Sequence, residues 1–285
     1  MLDGIKTIVA VVGCQRSGTT LVGQILGAHP NAALMDEFDG LYAWFSSYGA
    51  GKADASELWC KLLHSADQKY LSKAKRVQAD NRLNPDITHL ILKAPNLTFN
   101  FQDLASLDLP VQVIYPHRDV RSVVASMGRL SKIPFVERQL GFLQKHSDLR
   151  AEFADDIAIL NADDTDVLQK RALIWKIKSS LAQKFSDAGL PVFSFKYEDL
   201  VIDPDQWCRH LAKHAGLVFH TDMVNHQDVY TGTGPGGTER FRAIDQSSLK
   251  GWQSSLDAAQ QSLILDVAQA AMQDLGYDMQ GGLDG

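Results

Sequence analysis

The chain has 285 residues, 45% hydrophobic and 22% charged, with a formal net charge of −6. This is globular composition, and it excludes disordered and fibrous chains. No basic patch offsets the negative balance, which argues against a nucleic-acid partner, so an anionic ligand has to be held by local groups. The three cysteines, Cys14, Cys60 and Cys208, lie far apart without C-x-x-C spacing; this argues against zinc or a disulfide framework and fits a reducing compartment.

In chain order, an apolar, β-branched run over 5–12 predicts a parallel strand buried on both faces. It is too short to cross a bilayer and ends in a glycine loop, not a small-residue cleavage site. The expectation is therefore a cytoplasmic protein with no membrane span. A helix over 18–28 follows and is stopped by Pro30, because the residue before proline is pushed out of the α region. Further strands are predicted at 32–35, 89–92, 111–115 and 192–195. Helices are predicted at 56–74, 120–130, 135–153, 167–188, 207–215 and 256–275, and the glycine-rich stretch 231–237 reads as a loop. This alternation predicts an α/β protein forming one domain over 1–285. Its expected form is a P-loop-type three-layer fold, a central parallel sheet flanked by helices, with a helical insert at about 131–188.

The first strand leads into Gly13-Cys14-Gln15-Arg16-Ser17-Gly18-Thr19-Thr20. Such a loop wraps backbone N–H groups round an anion, and the helix that follows adds a partial positive charge. A nucleoside-triphosphate loop places lysine before its Ser/Thr; here Thr19 stands at that position and the cation, Arg16, lies inside the loop. The strand at 111–115 runs into Pro116-His117-Arg118, without an aspartate for magnesium. The loop therefore predicts a nucleotide lacking a γ-phosphate and no metal.

Arg118 falls at a strand end, where ligands gather in open parallel sheets, and Ser126 lies two helical turns further on. A guanidinium fork with a hydroxyl suits a phosphate monoester. The alternative pairs Arg118 with Asp119 and leaves Ser126 to pack. Arg121 and Arg129 are further candidates.

The run Gln15 to Leu21, with Ala28-His29-Pro30 behind it, resembles the 5'-phosphosulfate loop of sulfotransferases that use 3'-phosphoadenosine 5'-phosphosulfate (PAPS). Its Arg-Ser-Gly-Thr-Thr form is nearer to the tyrosylprotein sulfotransferase branch and its bacterial relatives than to the steroid and phenol enzymes. The resemblance implies that Arg16, Ser17, Gly18, Thr19 and Thr20 bind the sulfonated end and that Arg118 and Ser126 grip the 3'-phosphate. Tyr197, in Tyr197-Glu198-Asp199-Leu200, would lie beside the adenine. It further implies that Pro235-Gly236-Gly237-Thr238, with Lys250 and Trp252, closes over the nucleotide, leaving Arg240 and Arg242 as possible phosphate partners.

Transfer of a sulfuryl group to a hydroxyl needs stabilisation of the leaving phosphate oxygen and a base for the acceptor. Arg16 serves the first need. Glu37 is the candidate base: the chain returns it past the 32–35 strand to the loop's mouth, and the family's catalytic glutamate aligns there. Asp36 and Asp39 are its possible substitutes. Lys93, at the end of the 89–92 strand, is the second catalytic cation that the resemblance implies. His29 reads as a helix cap binding the last carbonyls, and Cys14 has no cationic neighbour marking it as a nucleophile. The expected acceptor is a small-molecule, carbohydrate or lipid hydroxyl, with 42–48 and 134–156 shaping its pocket and Trp44, Phe45 and Phe135 as candidate lining. The competing readings are a P-loop kinase and a non-catalytic nucleotide-binding protein.

Overall fold

A computed structural model describes residues 4–37, 84–130, 132–234 and 237–279. The expected helix at 56–74, the 42–48 segment, Trp44, Phe45, Asp39, Cys60 and Pro235-Gly236 lie outside them. Five strands, β1 (Thr7–Val11), β2 (Ala32–Asp36), β3 (His89–Lys93), β4 (Val111–His117) and β5 (Val192–Lys196), form one sheet in the order β2-β3-β1-β4-β5. Every neighbouring pair is parallel. β4 runs two residues beyond expectation, through Pro116. Proline is tolerated there because the pairing with β1 has ended at Ile114, and Pro116 lies opposite only Phe195 of β5.

The period of two along β1 divides the core. Ile8, Ala10 and Val12 face one side, with Leu90, Leu92, Val113 and Tyr115, under the short helices α2 (Phe101–Ala105) and α8 (Ala182–Asp187). Val9 and Val11 face the other side, with Ile91 and Ile114, under α1 (Thr19–Ala28) and α10 (Pro204–Ala215). The expected three layers are thus present. α10 begins three residues before its expected start: Asp203 caps it by accepting from the Gln206 N–H, and Pro204 occupies the first turn, where no N–H is needed.

Between β4 and β5 lie α3 (Val120–Gly128), α4 (Phe135–Leu143), α5 (Ser147–Glu152), α6 (Ala154–Asn161) and α7 (Val167–Ser180). The expected single helix over 135–153 is broken at 144–146. An unbroken helix would point Leu143 and Leu149 in different directions; the break turns both into one core with Ile174 and Ile177. The expected helix over 167–188 is likewise interrupted, at Leu181. α7 is buried on a second side as well, where Trp175 meets α3 and the long helix α11 (Ala258–Asp274). The Trp175 indole N–H donates to the Arg118 carbonyl at 2.8 Å, so the helical layer fixes the backbone at the end of β4. Phe135 packs against the same cluster. A short helix α9 (Tyr197–Ile202), not expected from the sequence, starts directly at the end of β5. Among the described residues no helix is long and apolar enough to cross a membrane.

Candidate active site

All strands being parallel, their carboxyl ends share one edge, and each delivers a candidate residue to it. In sheet order these are Glu37 after β2, Lys93 ending β3, Arg16 in the loop after β1, Arg118 after β4 and Tyr197 after β5. The chain turns from one half of the sheet to the other between β1 and β4, the place where open α/β sheets hold ligands.

The loop after β1 is held from beneath. The Thr98 hydroxyl accepts from the Gly13 N–H at 2.8 Å. Gly18 closes the loop with φ +91° and heads α1 without a side-chain cap, leaving first-turn N–H groups for another acceptor. The Ser17 hydroxyl is buried with no hydrogen-bond partner. Arg16 adopts φ +69° and Glu37 φ +42°, a region non-glycine residues enter at a cost of about 1–3 kcal/mol. Both residues that chemistry would single out are therefore held in conformations that the surrounding fold has to enforce. Burial pushes the Cys14 thiol up to about 12, which makes it inert as a nucleophile.

Arg16, Gly18, Thr19, Thr20, Arg118, Ser126, Arg129, Tyr197 and Thr238 line one cavity of about 460 Å³. The Arg16 Nε donates to the Ser126 hydroxyl at 2.9 Å. These two residues, expected at opposite ends of a nucleotide, thus touch, and a ligand phosphate between them has to share or displace this bond. Arg118 donates from Nη1 to the Arg16 carbonyl at 3.0 Å and from Nη2 to the Ser248 carbonyl at 2.7 Å. Its guanidinium carbon lies 4.4 Å from the centre of the Tyr197 ring, and the Tyr197 hydroxyl pairs with Ser248 Oγ at 2.9 Å. Arg118 Nε is buried without a partner. Burial first, then repulsion from Arg118 and Arg129, pushes the Arg16 guanidinium below its ordinary range. The cavity, whose lining also includes Arg242, Glu239 and Asp245, crowds the guanidinium groups of Arg16, Arg118 and Arg129 together, an arrangement complementary to an anion.

Glu37 and Lys93 do not line the cavity but lie beyond Arg16, whose guanidinium senses the Glu37 charge. Lys93 Nζ sits 2.5 Å from Glu37 Oε1 and 2.7 Å from Asp36 Oδ1. The Lys93 side chain is fully buried, whereas that of Glu37 is 30% exposed, so the glutamate is the accessible member of the pair.

Several expected partners fall elsewhere. Asp119 is not the partner of Arg118: it pairs with Arg121, which stacks 4.2 Å from the Trp252 ring and binds the carbonyls of Asp278 and Met279. Lys250 and Trp252 border a smaller cavity of about 120 Å³ beside Arg121 and Glu198, away from the large one. The resemblance that suggested Lys250 matches residues along a loop and cannot say which way the loop folds. Arg240 is buried against Asp36 at 2.5 Å, and Arg242 pairs with Asp245 at 2.7 Å. His29 caps α1 as expected through its backbone N–H, which donates to the Leu26 carbonyl at 3.2 Å, while its ring accepts from the Asn31 N–H through Nδ1 at 3.1 Å and pairs through Nε2 with the Val218 carbonyl at 2.8 Å.

Sequence reasoning missed Lys178 of α7. Its buried ammonium donates to Gln15 Oε1 at 2.9 Å, the Pro95 carbonyl at 2.7 Å and Gln139 Oε1 at 3.1 Å, bracing the loop through Gln15. All three acceptors are neutral, and burial pushes the group down from 10.5 to about 7. The unfolded chain then binds the proton more tightly than the folded one between those values. This residue's contribution is complete above the unfolded value and lost as pH falls toward about 7. Relative to Lys178→Met, the native protein should therefore gain stability as pH rises from 7 to 10, as read by urea unfolding at both pH values.

A central parallel five-stranded sheet flanked by helices, with a glycine loop after its first strand and arginines at its switch point, defines an α/β protein whose ligand edge is the carboxyl end of the sheet. The sulfotransferase family model matches residues 9–221, and the chain belongs to that family. The sulfotransferase domain from the curacin biosynthetic pathway superposes with a TM-score of 0.57 at 16% identity, covering 96% of this chain and 98% of that one. The sulfotransferase domain of the Synechococcus PCC 7002 olefin synthase superposes with a TM-score of 0.54 at 16% identity, covering 96% and 94%. No curated protein sequence matches the chain.

Proposed function

We propose that this sulfotransferase takes its sulfuryl group from PAPS and passes it to a hydroxyl of a small-molecule, carbohydrate or lipid acceptor, with Glu37 as general base. The observation that carries the reading is the convergence of Arg16, Arg118, Arg129 and Ser126 on one cavity of about 460 Å³, adjacent to the Lys93–Glu37 pair. The residues present fit a nucleotide with phosphate at both ends. The unpartnered Ser17 hydroxyl lies at the loop and the unpartnered Arg118 Nε at the ribose side. Family membership supports the donor class. The free thiols of Cys14 and Cys208 suit a cytoplasmic setting. We read the chain as one domain over 1–285, with 131–188 as its helical insert.

The donor supplies a sulfur–oxygen bond to phosphate that breaks as the acceptor oxygen bonds to sulfur, leaving adenosine 3',5'-bisphosphate. Glu37 takes the acceptor's proton. Arg16 and the first-turn N–H groups of α1 stabilise the charge growing on the leaving phosphate oxygen. Lys93 orients Glu37 and offsets negative charge on the transferring group. Arg118, stacked on Tyr197, fixes the ribose side so that the reacting atoms meet in line.

Transfer of labelled sulfate from PAPS to a panel of hydroxyl compounds, without added magnesium, tests this reading; strict dependence on ATP and magnesium would replace it with the kinase reading. Binding without transfer to any acceptor would leave a nucleotide-binding protein. A sharper result is expected from Arg118→Lys. Lysine keeps the charge but not the planar fork that spans the Arg16 and Ser248 carbonyls while stacking on Tyr197. Affinity for adenosine 3',5'-bisphosphate in calorimetry should fall about 10- to 100-fold, corresponding to the loss of one or two charge-assisted hydrogen bonds.

A further inference from the structure

We infer that Arg240 is a positioning residue that ties the loop over the nucleotide cavity to the Lys93–Glu37 pair through Asp36. Four charges alternate in sign along one chain of contacts. Glu37 Oε1 meets Lys93 Nζ at 2.5 Å, Lys93 meets Asp36 Oδ1 at 2.7 Å, and Asp36 Oδ2 meets Arg240 Nη2 at 2.5 Å. The side chains of Lys93, Asp36 and Arg240 are fully buried. Water screens them little, and a change at one end reaches the other.

Arg240 belongs to a turn whose neighbouring residues Gly237, Thr238, Glu239 and Arg242 form one wall of the large cavity. The turn is closed by the antiparallel bridge between Thr233 and Glu239, by the Gly234 N–H donating to the Thr238 carbonyl and by the Arg240 N–H donating to the Gly232 carbonyl at 3.0 Å. Its guanidinium packs under Gly234, where a Cβ would come 3.1 Å from Nε. The wall of the cavity is thereby anchored on the carboxylate next to the candidate base. By holding Asp36 Oδ2, Arg240 leaves one Asp36 oxygen for Lys93, so Lys93 remains shared with Glu37. Without Arg240, the buried Asp36 would draw Lys93 to itself and Glu37 would lose the contact that orients it. Among the described residues, Arg16 and Lys178 also sense the Glu37 charge.

The catalytic side of this inference rests on the function proposed above; the contact chain does not, and two measurements keep them apart. The first is amide hydrogen exchange at Gly234, Gly237 and Arg240, normalised to the amides of α11, in protein without donor or acceptor. Glu37→Gln frees Lys93 to bind Asp36 fully, weakens the hold on Arg240 and should speed exchange of the turn. Lys93→Met gives Asp36 wholly to Arg240 and should slow it. Opposite signs are the mark of an alternating charge chain; equal signs, or no change in either variant, overturn the inference whatever the donor proves to be.

The second measurement is turnover. Arg240→Gln should lower kcat about 10- to 100-fold, and Arg240→Lys should recover part of it. In the matched neutral pair Asp36→Asn with Arg240→Gln no carboxylate competes with Glu37 for Lys93, so kcat should recover toward the native value whether or not Tm does. A double variant whose kcat stays as low as that of Arg240→Gln would reduce Arg240 to a stabilising residue and overturn the proposal.

Discussion

Glu37→Gln should abolish sulfuryl transfer while leaving nucleotide binding intact. Glutamine nearly preserves the shape of glutamate, but it has no charge to hold Lys93 and takes no proton at neutral pH. Positioned general bases contribute about 10²–10⁴ in rate, so kcat should fall by that factor, or about 2.7–5.4 kcal/mol of barrier. Calorimetry with adenosine 3',5'-bisphosphate should give a near-native affinity, because Glu37 does not line the cavity that holds the arginines. Stability should change little, since the Glu37 side chain is 30% exposed and Lys93 keeps Asp36 as a buried counter-ion. A variant that retains its turnover would reassign the base, with Asp36 and Asp39 as the sequence neighbours to test next. Asp36 is a weak candidate by geometry, because its side chain is fully buried between Lys93 and Arg240.

The strands were legible because a buried parallel strand is a continuous apolar run, and once their direction is known the parallel sheet collects its carboxyl ends on one edge. Arg16 and Arg118 were therefore readable as sharing one edge of the sheet, although a hundred or so positions separate them along the chain, whereas Tyr197 was suggested by the family resemblance alone. What sequence could not convey were contacts made by side chains from distant segments with no local pattern. Arg240 looked like a phosphate ligand because it is basic and follows a glycine loop, yet it is turned inward to a carboxylate on β2. Lys178 sits in a helix with other lysines, and nothing in its spacing sets it apart from the solvated ones. Only the packing of α7 against the loop makes it a buried donor to Gln15. The break at 144–146 is of the same kind, since local propensity favours one helix and the shared core of Leu143 and Leu149 overrides it.

Gly18→Ala should remove nucleotide binding through geometry alone, with no charge lost. A Cβ built on Gly18 would lie 2.3 Å from Tyr197 Cδ2 and 2.9 Å from Cε2, closer than atoms approach, and the glycine's φ of +91° is one that alanine enters only under strain. The side chain that must yield is the ring on which Arg118 stacks and whose hydroxyl holds Ser248. Moving the ring therefore moves the Arg118 fork and the cavity wall together. A displacement of about 1 Å at a positioned group costs on the order of 10² in function. Affinity for adenosine 3',5'-bisphosphate should fall by at least about that factor, with a Tm loss from the strained loop. The double variant Gly18→Ala with Tyr197→Ala separates the two causes: removing the ring relieves the clash but not the φ strain. Recovery of Tm without recovery of affinity would identify the tyrosine as the platform for the ligand side of Arg118. If the single variant binds normally, the close approach of loop and ring is not what shapes the pocket.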